Sequence, residues 1–528
     1  MMKTTRIYSF LLALPLFAVF ASCNDYLDKS PDNRTEVDSE DKIAKLLTSA
    51  TFTGSYLLIN EYMSDNVDNL GDDNPYTTRF YDQVYNWEDV TETNNESPEE
   101  LWQDCYSGIA SANEALQTID NLGNIEDQSV KVKECKAEAL LCRAFNHFIL
   151  VNEFAKNYNS ATSATDPGVT YIEKPEKDLI VKYKRNTVAE VYDKIDRDIQ
   201  EALPLVGDTH LDVPKYHFNT QAAYAFAAKF YLFYEKWEKS VEYATQALGK
   251  YPANMLRDWK YMSTMTQEDQ AITEHYVDAS LNANIMLGVN YSTMGLWNRG
   301  STLGAKYSHD AYLAAYEDIN AQQVFGSPGA FYEGPKIYSA TNYDKVTLWK
   351  LPYYLEYTNA ARTTGYVHSV LPMFKSDLTL LERAEAYIML KQYDKACEDM
   401  NTWAQNFSST VTPITPESAQ TFFNRMAYAQ WNASTMKKHL HPAFNIDAEG
   451  SIQECLLQCV LSLKRLENLG EGQRWWDIKR YGIEIWRRTL NENGMPAKKT
   501  DDLTKDDPRR AIQIPQRVIS AGYEANPR

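Results

Sequence analysis

Two segments of the sequence bring aromatic side chains together with arginine and asparagine. The first, "NPYTTRFYDQVYNWED" (residues 74–89), contains Tyr76, Arg79, Tyr81, Asn86 and Trp87. A flat aromatic ring can lie under the C–H face of a sugar ring, while amide and guanidinium groups bond the sugar hydroxyls. The segment is therefore predicted to contribute to a carbohydrate-binding site.

The second segment, "NYSTMGLWNRG" (residues 290–300), contains Tyr291, Trp297, Asn298 and Arg299. We expect the two segments to meet on one face of the protein, with Trp87 or Trp297 exposed as a platform. An indole left on a surface loop is unfavourable unless a partner covers it. The alternative is that both tryptophans only anchor their loops by packing.

A third aromatic stretch, "RWWDIKRYG" (residues 474–482), has two adjacent tryptophans among basic residues. On a helix, Trp475 and Ile478 share one face, and Asp477 is three residues from both Arg474 and Arg480. We predict that this stretch is scaffold, with its indoles packed on neighbouring helices. A ligand platform is the alternative. A fourth stretch, "LWKLPYYLEY" (residues 348–357), alternates as in a strand or a packed hairpin.

Motifs for catalysis and cofactor binding are missing from the sequence. It contains neither a Gly-rich phosphate loop nor an HExxH pair. The 72 acidic residues single out no pair for glycoside hydrolysis. Six cysteines lie in apolar helical patterns without metal-ligand spacing and are predicted to be buried free thiols: Cys105, Cys135, Cys142, Cys397, Cys455 and Cys459. We expect no catalytic residue, no metal and no cofactor.

The net charge of the chain limits its partners. The formal charge is -19 and the isoelectric point is about 5.0. Nucleic acids and anionic lipid surfaces require a basic face, so neither is an expected partner. The same charge favours a neutral ligand over an anionic polymer.

The N-terminus has the features of a bacterial lipoprotein signal peptide. Lys3 and Arg6 precede the apolar run 7–21, which is too short for a comfortable membrane span. The run ends in Ala-Ser-Cys at Cys23, which resembles a lipobox. We predict a signal peptide over residues 1–22 and lipidation of Cys23, with no further apolar run long enough to span a membrane.

The mature chain is predicted to be all-α. Segments 101–119, 136–158 and 187–206 show helical apolar periodicity, with Thr187 as a cap and Pro204 at the end of the third. Segments 222–252 and 378–405 repeat the spacing of a tetratricopeptide repeat. About four stacked helix pairs would bury a shared core. We therefore predict one domain over residues 23–528, with loop-rich excursions at 60–98 and 253–375, where a site is expected.

Several motifs in order along the chain resemble the SusD/RagB family of outer-membrane lipoproteins. They are "CNDYLDKSPDN" (23–33), "LWQDCYSGIASANEAL" (101–116), "AEALLCRAFNHFILVNEFA" (137–155), "AEAYIML" (384–390), "EGQRWWDIKRYG" (471–482) and "IPQRVISAGYEANPR" (514–528). The likeness covers nearly the whole mature chain. It departs at Leu463 and Lys464, where the family usually has Glu and Arg. Family ligand sites are built from loops in the general regions of the first two segments.

The resemblance implies a non-catalytic protein at the cell surface, anchored to the outer membrane by lipid. It implies capture of an oligosaccharide or polysaccharide and its delivery to a partner TonB-dependent (SusC-like) transporter. The same fold capturing peptides is the first alternative, and a surface glycosidase is the second.

Overall fold

Helices are the main secondary structure in this computed structural model. It describes residues 39–94, 96–176, 182–298, 304–340 and 343–528, without the side chains of 298, 338–340 and 343. The predicted signal peptide and Cys23 lie outside the described residues. Residues Glu40–Arg528 form one compact unit.

The described residues contain short and long helices. The helices before residue 250 are α1 (Glu40–Leu47), α2 (Leu57–Met63), α3 (Arg79–Tyr85), α4 (Pro98–Asn121), α5 (Val130–Phe154), α6 (Val188–Ala202), α7 (Thr220–Phe233) and α8 (Trp237–Leu248). The later helices are α9 (Trp259–Thr264), α10 (Asp269–Tyr276), α11 (Met294–Asn298), α12 (Ala311–Glu317), α13 (Ser376–Met389), α14 (Tyr393–Phe407), α15 (Pro416–Arg425), α16 (Ile452–Asn468), α17 (Arg474–Arg480) and α18 (Gln516–Ser520).

The predicted helical segments are confirmed as helices α4 to α8, α13 and α14. Helices α4 and α5, α5 and α6, α7 and α8, and α13 and α14 pack as neighbours. Local capping defines where they begin, because the Ser97 hydroxyl accepts the Glu100 N–H and Thr187 forms a capping box with Glu190. The described residues are mostly arranged in paired helices with only small sheets, so the predicted fold class is confirmed.

The two tetratricopeptide-like repeats stack directly on each other. Ala228 on α7 and Ala384 on α13 are fully buried, and α8 packs against α13. Ser240 takes the place where the repeat usually has alanine, and its hydroxyl donates to the Ala228 carbonyl at 2.9 Å. The small side chains let the helices approach closely, so one core is shared by both repeats.

Small sheets occupy the loop-rich regions and were predicted only in part. The strands are β1 (Asp68–Asn69), β2 (Asn284–Asn290), β3 (Tyr307–Ser308), β4 (Lys336–Ala340), β5 (Tyr343–Thr347), β6 (Tyr354–Tyr357), β7 (Gly365–Lys375), β8 (Ile485–Leu490) and β9 (Pro496–Leu503). They form sheets in the orders β3-β1-β8-β9, β2-β7-β6 and β4-β5. Strand β1 pairs antiparallel with β3 and parallel with β8, so the first loop region is joined both to the second loop region and to the C-terminal region.

The stretch "RWWDIKRYG" forms α17 in the core. Trp475 is fully buried, and the Trp476 ring lies 4.9 Å from that of Tyr56 and donates its Nε1–H to Glu153 at 2.7 Å. Arg474 pairs with Asp65 at 2.9 Å. The scaffold interpretation of this stretch is confirmed.

A buried ion network surrounds α17. Lys464 Nζ lies 2.9 Å from Glu385 and 2.5 Å from Asp477, and Arg480 lies 2.8 Å from Glu385. Burial alone would raise the pKa of Glu385, but Arg480 and Lys464 lower it to about 2. The SusD/RagB family usually has an arginine at the position of Lys464. The lysine found here still forms ion pairs with both buried carboxylates.

The six cysteines of the described region are all buried free thiols, as predicted. Burial raises the pKa of the Cys459 thiol, which keeps it protonated and unreactive. None of the helices in the described ranges has both the length and the apolar character to cross a bilayer.

Candidate functional site

The two segments predicted to share a site meet in the structure. The ring of Trp297 on α11 lies 5.4 Å from that of Tyr76 and 5.3 Å from that of Tyr81 on α3. The Tyr62 ring of α2 contacts Trp297 from another side, at 6.0 Å. We call Tyr62, Tyr76, Tyr81 and Trp297 the aromatic cluster. The prediction that the two segments meet on one face is confirmed.

Hydrogen bonds hold the two segments of the cluster together. The buried Glu96 carboxylate accepts from the Ser292 hydroxyl at 3.1 Å and from the Thr293 N–H and hydroxyl at 2.9 and 2.6 Å. These bonds attach the start of α11 to the chain that follows the first segment. The Tyr76 N–H donates to the Gly304 carbonyl at 2.9 Å, and the Lys306 N–H donates to the Tyr76 carbonyl at 3.1 Å. The cluster is therefore built on fixed backbone.

The rings of the cluster differ in how much surface they offer. Tyr76 is 51% exposed, whereas Trp297 is only 9% exposed. Tyr81 is half-buried, and burial raises its pKa to about 12, so its hydroxyl stays protonated near neutral pH. Tyr76 is therefore the outer surface of the cluster, and Trp297 supports it from below.

Trp87 is a packing residue and not part of the cluster. It is 3% exposed, and its Nε1–H donates to the Met63 carbonyl at 2.8 Å. The guanidinium of Arg487 on β8 lies 4.1 Å from the Trp87 ring centre, a cation–π contact. The prediction that Trp87 or Trp297 stands exposed as a platform is wrong, because neighbouring side chains cover both indoles.

The other predicted site residues are dispersed. Arg79 is exposed at the start of α3. The Asn86 side chain donates to the Asp82 carbonyl at 2.8 Å, within its own helix end. The Tyr291 ring packs on Tyr366, at 5.6 Å. Asn298 ends α11 but its side chain is not described, and Arg299 lies outside the described residues.

A small cavity lies behind the aromatic cluster. Its volume is about 50 Å³, and its lining includes Tyr62, Trp297 and His309. The buried Tyr62 hydroxyl has no hydrogen-bond partner among the described residues. The cavity can hold a few water molecules but not a sugar ring. The surface that the cluster offers to a larger molecule is therefore the exposed ring of Tyr76.

Charged groups that sequence reasoning missed lie beside the cluster. The Asp82 carboxylate accepts from the Tyr307 hydroxyl at 2.6 Å and from the Thr77 hydroxyl at 3.1 Å. Lys306 pairs with the exposed Asp72 at 3.0 Å. Lys306 and Tyr307 come from a segment beyond both predicted motifs, so no local pattern indicated them. Carboxylate and ammonium groups at the rim suit sugar hydroxyls.

Comparison with known proteins supports the resemblance of the motifs. A model of a SusD-like family, described as "Starch-binding associating with outer membrane", matches residues 25–232. The SusD-like protein P2 of Formosa agariphila is 24% identical over 428 residues, which cover 77% of this chain and 75% of that protein.

Solved structures share the fold. A putative sugar-binding protein of Bacteroides vulgatus aligns with a TM-score of 0.65 at 17% identity, over 94% of this chain and 99% of that chain. A SusD superfamily protein of Bacteroides thetaiotaomicron aligns with a TM-score of 0.61 at 16% identity, over 93% of this chain and 98% of that chain. The resemblance drawn from the sequence motifs is confirmed by these matches.

Proposed function

We propose that this chain is a glycan-binding subunit at the cell surface, because residues 25–232 match a SusD-like family model and its fold is similar to that of a putative sugar-binding protein. It captures a neutral oligosaccharide or polysaccharide and passes it to a TonB-dependent transporter, without catalysis. The observation that carries the proposal is the aromatic cluster, which presents Tyr76 beside charged rim groups.

The chemistry of the cluster supports a sugar as ligand. Tyr76 offers an exposed ring that can stack against C–H bonds, and Trp297 holds that ring through an edge contact. Tyr81, whose ring contacts Trp297, and Asp82, which accepts from the Thr77 hydroxyl, provide hydrogen-bonding groups near it, and Arg79 is exposed three residues after Tyr76. The net charge of -19 disfavours anionic polymers, so a neutral glycan is the preferred ligand class.

Replacing Tyr76 by alanine tests the binding surface. We expect glycan affinity to fall about fivefold, because one stacking ring contributes on the order of 1 kcal/mol. Thermal stability should change little, since half of the side chain is already exposed. Calorimetry with the glycan identified on an array of neutral polysaccharides measures the first effect, and a melting curve measures the second.

Tyr251→Ala is a matched control for this experiment. Tyr251 is also an exposed tyrosine, but it lies after α8 on the repeat scaffold. It should leave glycan affinity unchanged. If Tyr76→Ala binds as tightly as the wild type, the aromatic cluster is not the binding site. Binding of a peptide pool but of no glycan would contradict the proposed ligand class.

Membrane attachment through Cys23 is part of the proposal. Two or more acyl chains on that residue would hold the mature protein on the outer membrane without a spanning helix. We expect Cys23→Ala to fold normally and to leave the membrane fraction, whereas Cys105→Ala, which alters a buried thiol, should stay attached. The measurement is fractionation of cells that lack the partner transporter. A Cys23→Ala protein that remains with the outer membrane there would contradict lipid anchoring.

A further inference from the structure

A second group of aromatic side chains lies on the β2-β7-β6 sheet. In its register, Tyr354 of β6 is directly opposite His368 of β7, and Glu356 is opposite Tyr366. Directly opposed residues of an antiparallel pair point to the same face, and so do alternate residues of one strand. All four side chains therefore lie on one face of the sheet.

The rings on this face form a continuous row. Tyr291, which follows β2, lies 5.6 Å from Tyr366 between ring centres. Tyr366 lies 5.8 Å from His368, and His368 lies 5.3 Å from Tyr354. All four rings are half-buried, so each keeps part of its surface in solvent. We call Tyr291, Tyr366, His368 and Tyr354 the aromatic row.

The aromatic row is connected to the aromatic cluster through one short segment. Tyr291 and Trp297 both belong to the second segment, residues 290–300. Because so few residues separate them, their backbones are at most about 20 Å apart. Helix α11 packs on the chain just before β6, where a Cβ added to Gly295 would lie 2.2 Å from the Pro352 carbonyl oxygen. The Ser369 hydroxyl donates to the same carbonyl at 2.7 Å. The row and the cluster thus share one fixed support.

We propose that the aromatic row is an additional subsite for the same glycan chain, so that the protein selects oligosaccharides long enough to reach both surfaces. This inference rests on the proposed function. A short sugar can contact only the aromatic cluster or the aromatic row. A longer chain contacts both, and its affinity is higher because the second contact is made by a ligand that is already bound.

The chemistry of the row favours a neutral glycan as its occupant. Three of its rings are tyrosines, which combine a stacking face with a hydroxyl that can donate to and accept from sugar hydroxyls. The Glu356 carboxylate lies 3.9 Å from the His368 ring nitrogen at its edge and offers acceptors for further hydroxyls. The charged neighbour on this face is acidic, which disfavours a polyanion.

Affinity as a function of ligand length tests this inference. The probes are starch, xylan, mannan, fructan and mixed-linkage β-glucan, followed by the trisaccharide and heptasaccharide of whichever polysaccharide binds. In the wild type we expect the heptasaccharide to bind about tenfold or more tightly than the trisaccharide. The double variant Tyr354→Ala/Tyr366→Ala should lose most of this difference while trisaccharide affinity stays unchanged.

Two further variants separate ring contact from damage to the sheet. Tyr354→Phe/Tyr366→Phe keeps both rings and should retain most of the length dependence. Tyr357→Ala removes a 44% exposed tyrosine from the opposite face of β6 and should leave the dependence of affinity on ligand length unchanged. If the alanine double variant keeps the full advantage of the heptasaccharide, the row is not a subsite. If no probe binds the wild type, the proposed function is overturned and this inference with it.

Discussion

Replacing Trp475 by alanine is expected to lower the free energy of unfolding by about 3–5 kcal/mol. The side chain is fully buried on α17, among helices that close around it. Its indole nitrogen has no hydrogen-bond partner among the described residues, so the loss comes from the removed volume and not from a broken hydrogen bond. The change is measured by chemical denaturation monitored by far-UV circular dichroism, because that signal reports on the helices and not on tryptophan fluorescence.

Two comparisons make this result specific. Trp475→Phe keeps most of the buried volume and should cost clearly less than the alanine variant. Trp237→Ala removes a half-buried indole that packs on Phe444 at 5.3 Å, and it should also cost less. Glycan affinity per folded molecule should be unchanged in all three variants. A Trp475→Ala protein that is stable but no longer binds would move this residue from scaffold to binding site.

Replacing Lys464 by methionine is expected to lower the free energy of unfolding by about 3–5 kcal/mol, because it leaves buried carboxylates without their cation. Lys464 is the ion partner of both Glu385 and Asp477. Arg480 would remain within ion-pair distance of both acids, 2.8 Å from Glu385 but 3.8 Å from Asp477. The measurement is again equilibrium denaturation at neutral pH.

Lys499→Met is the matched control for the buried lysine. Lys499 pairs with Asp502 at 2.8 Å, but both side chains are more than two-fifths exposed. Solvent screens such a pair, so its loss should change stability by less than about 1 kcal/mol. Equal effects of the two substitutions would show that the Lys464 network does not depend on its burial.

Both variants test whether the region around α17 stabilises the fold. The sequence of this helix resembles a motif of the SusD/RagB family, and in the structure the helix is buried. The tryptophans and charged residues of this helix all face inward. Sequence reasoning reached that conclusion from the spacing of Trp475, Ile478 and Asp477 on a helix. The same spacing predicted that Asp477 can pair with either Arg474 or Arg480. In the structure Arg480 lies 3.8 Å from Asp477, Arg474 pairs with Asp65, and Lys464 is the closest partner of Asp477, which the spacing did not indicate.

The helices were predictable because their signals are local. Apolar residues recur at the helical period in α4 to α8, and capping residues such as Thr187 lie next to the turns that they begin. The strands were mostly not predictable. Strand β1 has two residues and exists only because β3 and β8, both distant in sequence, pair with it. Only "LWKLPYYLEY" indicated a strand, and its last four residues form β6.

The candidate site shows the same division between local and long-range information. Composition alone located the two segments that meet, since aromatic, Asn and Arg residues are concentrated in them. It could not tell which ring faces solvent. Tyr76 and Trp87 lie in one segment, yet Tyr76 is exposed and Trp87 is covered. The difference arises from Arg487, which belongs to the C-terminal strand β8 and lies over the Trp87 ring.

The amino-acid sequence by itself determined the helical repeat scaffold, the family resemblance and the two segments that build the candidate site, because periodicity, caps and composition act over a few neighbouring residues. Only the tertiary structure decided that Tyr76 is the outward surface, that Trp87 and Trp297 are supports, and that Tyr291 joins Tyr366 on a sheet. The physical reason is that exposure depends on what packs against a side chain, and the packing partners come from distant parts of the chain.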